Sequence, residues 1–119
     1  MLLTFFSLQL HALLTVSALL VPASYPGGDA AMQAYIEHNL VYPSMPKEMG
    51  IEGVVPVEFT VKTDGSIGTI RILRMIDPDL EQEAIRLVKN MPAWTPATED
   101  GTPVESSAKV QISFSLEDE

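Results

Sequence analysis

The segment from Gly53 to Met75 decides the fold, and it reads GVVPVEFTVKTDGSIGTIRILRM. From Gly53 to Lys62, large apolar side chains recur at every second position, which is the period of a strand with one buried face. Asp64-Gly65 is a strong hairpin signal, because both residues tolerate positive φ. The segment therefore predicts an antiparallel hairpin with a second strand from Ile67 to Met75. Pro56 has no amide to donate, so pairing beside it should be bulged, local or on an unpaired side.

A second alternating segment runs from Val104 to Leu116, after a turn at Glu99-Asp100-Gly101. Its inward face is apolar apart from Ser106. Its other face carries Glu105, Ser107, Lys109, Gln111, Ser113 and Ser115. The pattern predicts a long and regular strand, because no proline falls between Val104 and Leu116.

Two amphipathic helices are predicted around these strands. The first follows the Tyr25-Pro26-Gly27-Gly28 turn, with Asp29 as N-cap and an end near Asn39. The second has Asp77 as N-cap and Pro78 at its first position. Their apolar faces comprise Met32, Tyr35, Ile36 and Leu40 in the first helix and Leu80, Ala84, Leu87, Val88 and Met91 in the second. The prolines between Tyr42 and Pro46 predict an extended connection.

The order helix, hairpin, helix, strand predicts an α+β fold. The second helix returns the chain across the sheet, which places the last strand beside the first strand of the hairpin. The result is a three-stranded antiparallel sheet of order 2-1-3, with two helices packed on one face and an apolar N-terminal helix in front. Trp94 is expected to cap the core as a buried side chain.

The first 23 residues are expected to direct export. Met1 to Val21 is an uncharged, mainly apolar run long enough to cross a bilayer as a helix. Val21-Pro22-Ala23 resembles a signal-peptidase site. Residues 1–23 are therefore interpreted as a signal peptide or a membrane anchor, and residues 24–119 as the domain. The segment therefore predicts export, with membrane anchoring through residues 1–22 if they are retained.

The composition gives no sign of catalysis. Sixteen Asp and Glu residues against seven Lys and Arg residues make nucleic acid an unfavourable partner, and there is no cysteine. The dense carboxylate run at Asp77, Asp79, Glu81 and Glu83 lacks the spacing of a calcium loop and is typical of a solvated helix N-terminus. His38 is expected to be a surface residue, and His11 has a role only if the first segment is retained. We therefore predict no catalytic residues, no metal site and no cofactor.

A set of short motifs resembles one known family. It comprises Tyr42-Pro43, Gly50, Gly53, the alternation from Val55 to Val61, Asp64-Gly65, Leu80, Ala84, Trp94-x-Pro96-Ala97 and Gly101-x-Pro103-Val104. From Tyr42 onward the chain resembles the C-terminal domain of the TonB energy-transducer family. The Tyr25-Pro-Gly-Gly turn and its helix are similar to Bacteroidetes-type members. Ser7 and His11 share the Ser-x-x-x-His spacing of the family's membrane anchor.

The resemblance implies a binding domain and not an enzyme. It also implies a location in the periplasm, with anchoring in the inner membrane through residues 1–22 if they are retained. In that family the domain grips the box segment of a TonB-dependent outer-membrane receptor, which adds as a strand beside the last strand. Inner-membrane motor proteins driven by the proton gradient supply the force, and nutrient uptake follows. Between Ala23 and Tyr25 there is no proline-rich spacer of the kind usual in the family. The alternative is an envelope structural or regulatory module of the same fold without energy transduction.

The predicted partner-binding residues lie on the outward face of the last strand. They are Ser107, Lys109, Gln111, Ser113 and Ser115. Order 2-1-3 leaves this strand at an edge of the sheet, where unpaired amides and carbonyls recruit other strands. The competing interpretation is an edge covered by the N-terminal segment of the chain.

Overall fold

The computed structural model describes residues 19–117 and has α+β architecture, as predicted. In chain order the elements are β1 (Leu20–Val21), α1 (Asp29–Asn39), α2 (Ser44–Glu48), β2 (Gly53–Val61), β3 (Ile67–Ile72), α3 (Pro78–Lys89), β4 (Ala97–Glu99), β5 (Thr102–Val104) and β6 (Ser106–Phe114). The hairpin formed by β2 and β3 is extended by β6, which pairs antiparallel with β2. The central sheet therefore has the order β3-β2-β6.

Strand β2 has two different faces, as its alternation predicts. Val55, Val57, Phe59 and Val61 are at most 1% exposed, whereas the side chains between them are half-buried. The buried face packs under α3, through Leu80, Ala84, Leu87 and Val88. Helix α1 joins the same core through Ile36, and the Tyr35 hydroxyl donates to the Leu87 carbonyl at 2.7 Å. The helices thus lie on one side of the sheet, and the other side faces solvent.

Pro56 lies inside the central strand, and its missing amide faces β3. The Leu73 amide donates to the Pro56 carbonyl at 2.9 Å, one residue beyond the end of β3. The missing Pro56 amide therefore removes one ladder hydrogen bond, at a position where β3 has already ended. Of the three alternatives predicted beside the proline, the structure shows the unpaired side, since the donor-less position of Pro56 faces a residue beyond the end of β3. The register shift with β3 lies elsewhere, between Phe59 and Val61.

The prediction of a single sheet and two helices was incomplete. Strands β1, β4 and β5 form a second antiparallel sheet in the order β1-β4-β5. Its β4–β5 hairpin turns at Asp100 and Gly101, which both have positive φ. The extended connection predicted from Tyr42 to Pro46 was wrong for its second half, where α2 forms. Pro46 is tolerated there because it sits in the first turn, where its missing amide has no helical partner.

The helix N-termini differ in how they are capped. Asp77 caps α3 as predicted, since its Oδ1 accepts from the amides of Asp79 at 2.9 Å and Leu80 at 3.2 Å. The prediction that Asp29 caps α1 was wrong. Gly28, with φ of 89°, occupies the cap position, and Asp29 is the first helical residue. Glycine has no side chain, so the first-turn amides of α1 receive no side-chain cap at this position.

The expected N-terminal helix falls mainly on residues outside the described part. Of its predicted span, Leu20 and Val21 form β1 and pair with β4 opposite Glu99 and Thr98, so these two positions are not helical. Two hydrogen bonds link Ser24 and Thr95, at 3.0 and 2.8 Å. Between residues 19 and 117, no helix is both long and apolar enough to span a membrane.

Candidate partner-binding edge

One edge of β6, called here the free edge, pairs with no other strand among residues 19–117. The backbone of β6 presents alternate residues to this free edge. The bond from Leu73 to Pro56 turns the Pro56 carbonyl toward β3. Backbone groups of successive residues point to opposite sides of a strand, so the odd-numbered residues of β2 point toward β6. Their cross-strand partners are Ser106, Ala108, Val110, Ile112 and Phe114. The amides and carbonyls of Ser107, Lys109, Gln111 and Ser113 therefore point away from β2.

The structure places the predicted site residues together along this edge. Ser107, Lys109, Gln111, Ser113 and Ser115 all have exposed side chains. The first four lie within β6, and Ser115 follows its last residue. The Ser115 hydroxyl accepts from the Glu117 amide at 3.3 Å. Whether these residues bind a partner stays a prediction.

The two edges of the central sheet are not equivalent. β6 has nine residues and keeps an unbroken register with β2 over nine residue pairs. β3 has six residues, contains Gly68 and adjoins the register shift in β2. Short length and bulges are devices that protect sheet edges from pairing, whereas long and regular edges invite it. β6 is therefore the edge better suited to accept another strand.

On the solvent-facing side of the sheet, the charged side chains near this edge lie beside charges of opposite sign. Glu58 lies opposite Arg71 of β3 and Lys109 of β6. The Arg71 guanidinium donates to the Glu58 carboxylate, and this bond holds the pKa of Glu58 below its ordinary value. Lys109 adds a smaller electrostatic contribution in the same direction. Lys109 therefore has an acidic neighbour and is a weak barrier to an incoming strand.

A groove of about 410 Å³ borders the free edge between β6 and α1. One wall is formed by Gln111, Ser113 and Ser115. The other wall comprises Gln33, Ile36, Glu37 and Leu40 of α1 and its C-cap. Sequence reasoning placed Ile36 and Leu40 in the core and missed this second role. The available signal was their i, i+4 spacing beside Gln33 and Glu37, which puts all four on one helical stripe.

Two of the carboxylates predicted to be solvated, Glu81 and Glu83, have structural partners. Glu81 accepts from the Ile76 amide at 2.6 Å. Glu83 is 8% exposed and accepts from the Val41 amide at 2.7 Å as well as from the Arg86 guanidinium at 2.7 and 2.8 Å. Glu83 therefore ties α3 to the segment after α1 and is not a solvated residue. Across residues 19–117, no group of three or more His, Asp or Glu side chains could hold a metal ion.

His38 is exposed, as predicted. Its Nδ1 lies 2.9 Å from the carbonyl oxygen of Ala34, one turn earlier in α1. Although His38 belongs to α1, it is outside the stripe that lines the groove. The geometry gives it no role at the edge.

Comparison with known proteins identifies the relatives of this fold. Residues 38–116 match the family described as "Gram-negative bacterial TonB protein C-terminal". Protein TonB of Helicobacter pylori strain 26695 is 30% identical over 89 residues, which cover 74% of this chain and 30% of the relative. Protein TonB of Pseudomonas aeruginosa is 29% identical over 99 residues, which cover 81% of this chain and 29% of the relative. The chain thus spans less than a third of the length of these two relatives.

Solved structures give the same result. The solution structure of residues 179–285 of Helicobacter pylori TonB superposes with a TM-score of 0.57 at 28% identity, covering 74% of this chain and 79% of that one. The Pseudomonas aeruginosa TonB C-terminal domain gives a TM-score of 0.50 at 28% identity, covering 65% and 78% of the two chains. The likeness therefore extends over most of both solved domains.

Proposed function

This chain belongs to the TonB C-terminal domain family of Gram-negative bacteria, and from that premise we propose that it binds TonB-dependent outer-membrane receptors in the periplasm. The receptor's box segment adds as a strand to the free edge of β6, and this contact supports nutrient uptake driven by the proton gradient. The residues at the contact are Ser107, Lys109, Gln111, Ser113 and Ser115. The domain has no enzymatic role in this proposal, and it uses no cofactor.

One observation carries the proposal, namely the open backbone edge of β6. Outward amides and carbonyls on four alternate residues provide the hydrogen bonds that strand addition requires. The covered-edge interpretation has less support, because β1 pairs with β4 and not with β6. Main-chain bonds of this kind supply affinity, and the side chains beside them supply selectivity.

Location and force transmission are further parts of the proposal. Residues 1–23 direct export as a signal peptide or membrane anchor, and residues 24–119 carry the binding function. If residues 1–22 are retained, they hold the domain at the inner membrane, where motor proteins driven by the proton gradient become partners. Fractionation followed by N-terminal sequencing checks this. A soluble cytoplasmic protein that retains Met1 would contradict export.

The binding proposal is tested by NMR titration of ¹⁵N-labelled protein. The probes are synthetic peptides of about ten residues, each covering the N-terminal segment of one TonB-dependent receptor from the same genome. We expect the largest amide shifts at Ser107, Lys109, Gln111 and Ser113, because their backbone groups form the new ladder. Shifts centred on the Asp64-Gly65 turn or on α3 would assign binding to a different surface and reject the edge.

The same protein can be used to test the alternative function. An envelope module without energy transduction would contact a protein other than a receptor. A pull-down from envelope extract, read by mass spectrometry, separates the two. Recovery of receptors supports the first function, whereas recovery of another envelope protein together with silent receptor peptides supports the second.

A further inference from the structure

We propose that helix α1 selects the side chains of the strand that β6 receives, and that it favours apolar side chains and a basic residue over an acidic one. This inference rests on the proposed function, since it concerns the same edge. It adds a second element to the contact, because strand addition by itself needs only β6. Its basis is the groove shared by α1 and the second half of β6.

The groove lies where an added strand must run. The outward backbone groups of Gln111 and Ser113 line it on one side. An added strand sits about 4.8 Å from β6 in the hydrogen-bonding direction. In this half of the edge the strand therefore lies between β6 and α1. Ser107 and Lys109 do not line the groove, so α1 borders only the second half of the edge among residues 19–117.

The length of the wall sets how many partner residues α1 can contact. The lining positions of α1 and its C-cap extend from Gln33 to Leu40. The seven steps from residue 33 to residue 40, at 1.5 Å each, give a wall of about 10 Å. An extended chain advances about 3.3 Å per residue, so the wall covers roughly three residues of the partner. Successive side chains alternate between the two faces of a sheet, and only those on the α1 side are selected.

The chemistry of the wall defines the preferred side chains. Ile36 is 5% exposed and Leu40 is half-buried, so together they form an apolar floor. Gln33 and Glu37 are exposed at the rim. Among the described residues that line the groove, Glu37 is the charged one. A carboxylate on the partner would be repelled by Glu37, whereas a Lys or Arg would be attracted to it.

The test is a charge-swap cycle on a peptide that already binds. The receptor peptide with the largest β6 shifts is resynthesised with Lys or with Glu at each of two successive central positions. Each peptide is titrated against the unmodified protein and against Glu37→Lys. Neighbouring side chains point to opposite faces of the sheet, so only one of the two positions faces α1. The other position serves as its control. Glu48→Lys is the matched protein control, since it changes the net charge equally at an exposed position outside the groove.

We expect coupling at one of the two peptide positions. There, the Lys peptide should bind the unmodified protein about two- to five-fold more tightly than the Glu peptide, the range of an exposed ion pair. Glu37→Lys should reverse this preference, and Glu48→Lys should leave it in place. Equal affinities at both positions, or the same reversal with Glu48→Lys, would overturn the role of α1. The parent peptide's β6 shifts would still stand in that case, so the two proposals fail separately.

Discussion

Trp94 shows how one residue joins three parts of the fold. Its ring packs edge-on against Phe59 of β2 and Tyr25 of the N-terminal segment, with centroids 5.2 and 5.9 Å apart. Its amide donates to the Gly65 carbonyl at 2.9 Å. Gly65 has φ of 87°, and a Cβ there would lie 2.0 Å from the Trp94 carbonyl oxygen. The hairpin turn and the tryptophan loop therefore need glycine at position 65.

The indole itself is a core side chain, being 7% exposed. We expect Trp94→Ala to lower the free energy of unfolding by about 3–5 kcal/mol, the usual cost of removing a large buried aromatic side chain. Trp94→Phe should cost less, because it keeps a ring against Phe59. Urea denaturation followed by circular dichroism measures both. An unchanged unfolding midpoint for Trp94→Ala together with lost peptide binding would assign the residue to the partner contact instead.

At the scale of elements, each edge of the central sheet meets a different neighbour. β3 ends early and lies next to α3, while β6 runs on regularly and is bordered by α1 over its second half. In the proposed function, partner binding therefore depends on backbone direction more than on the identity of the β6 side chains. Four of the five predicted site residues gain their significance from amides that point outward.

A proline at position 111 tests whether the backbone amide or the side chain of Gln111 carries the peptide contact. Gln111→Pro removes an outward amide and leaves the β2 ladder bonds of Val110 and Ile112 in place. We expect the affinity for the peptide, obtained from the β6 amide shifts, to fall at least ten-fold. The free energy of unfolding should change much less than it would with a proline at Ile112. Gln111→Ala is the control, because it keeps the amide. If the alanine variant loses binding as strongly as the proline variant, the side chain carries the contact and strand addition is not supported.

At the scale of the whole molecule, the chain enters the fold through the second sheet. Leu19 exchanges two hydrogen bonds with Asp100, at 2.9 and 2.8 Å, and β1 then pairs with β4. Tyr25 follows as a buried core residue. Residues 19–24 are thus held beside β4 and Thr95, and β1 pairs with β4 and not with β6.

Chains that begin at Leu19 or at Ser24 test what β1 contributes. The shorter chain loses the bonds to Asp100 and the pairing with β4. We expect its free energy of unfolding to be about 1–2 kcal/mol lower, because each backbone bond contributes about 1 kcal/mol net and Leu20 and Val21 bury little surface. Denaturant unfolding of the two chains measures this difference. Identical stabilities would mean that β1 pairing is not maintained in solution, whereas loss of folding would make the segment indispensable.

The sequence by itself determined the elements whose patterns are local. The alternation around Phe59, the Asp64-Gly65 turn and the Asp77-Pro78 helix start each specify their structure through neighbouring residues, and α+β architecture follows from their order. The open strand at the end of the chain was predictable for the same reason. Its inward and outward faces follow the period-two pattern from Ser106 to Phe114. The predicted bounds were too wide, because Val104 belongs to β5 and pairs with Ala97 in the second sheet.

Only the tertiary structure decided the features that depend on contacts between distant segments. β1 and β4 are too short to carry a pattern, and they form because residues near 20 and near 98 meet across the fold. The sequence predicts Glu83 to be one of several solvated carboxylates, whereas in the structure it accepts a hydrogen bond from the segment after α1. Likewise, α1 has the apolar stripe of an ordinary core helix. Its position beside the β6 edge, which makes Glu37 part of a groove, follows from packing, and packing is set by all of the buried side chains together and not by any local pattern.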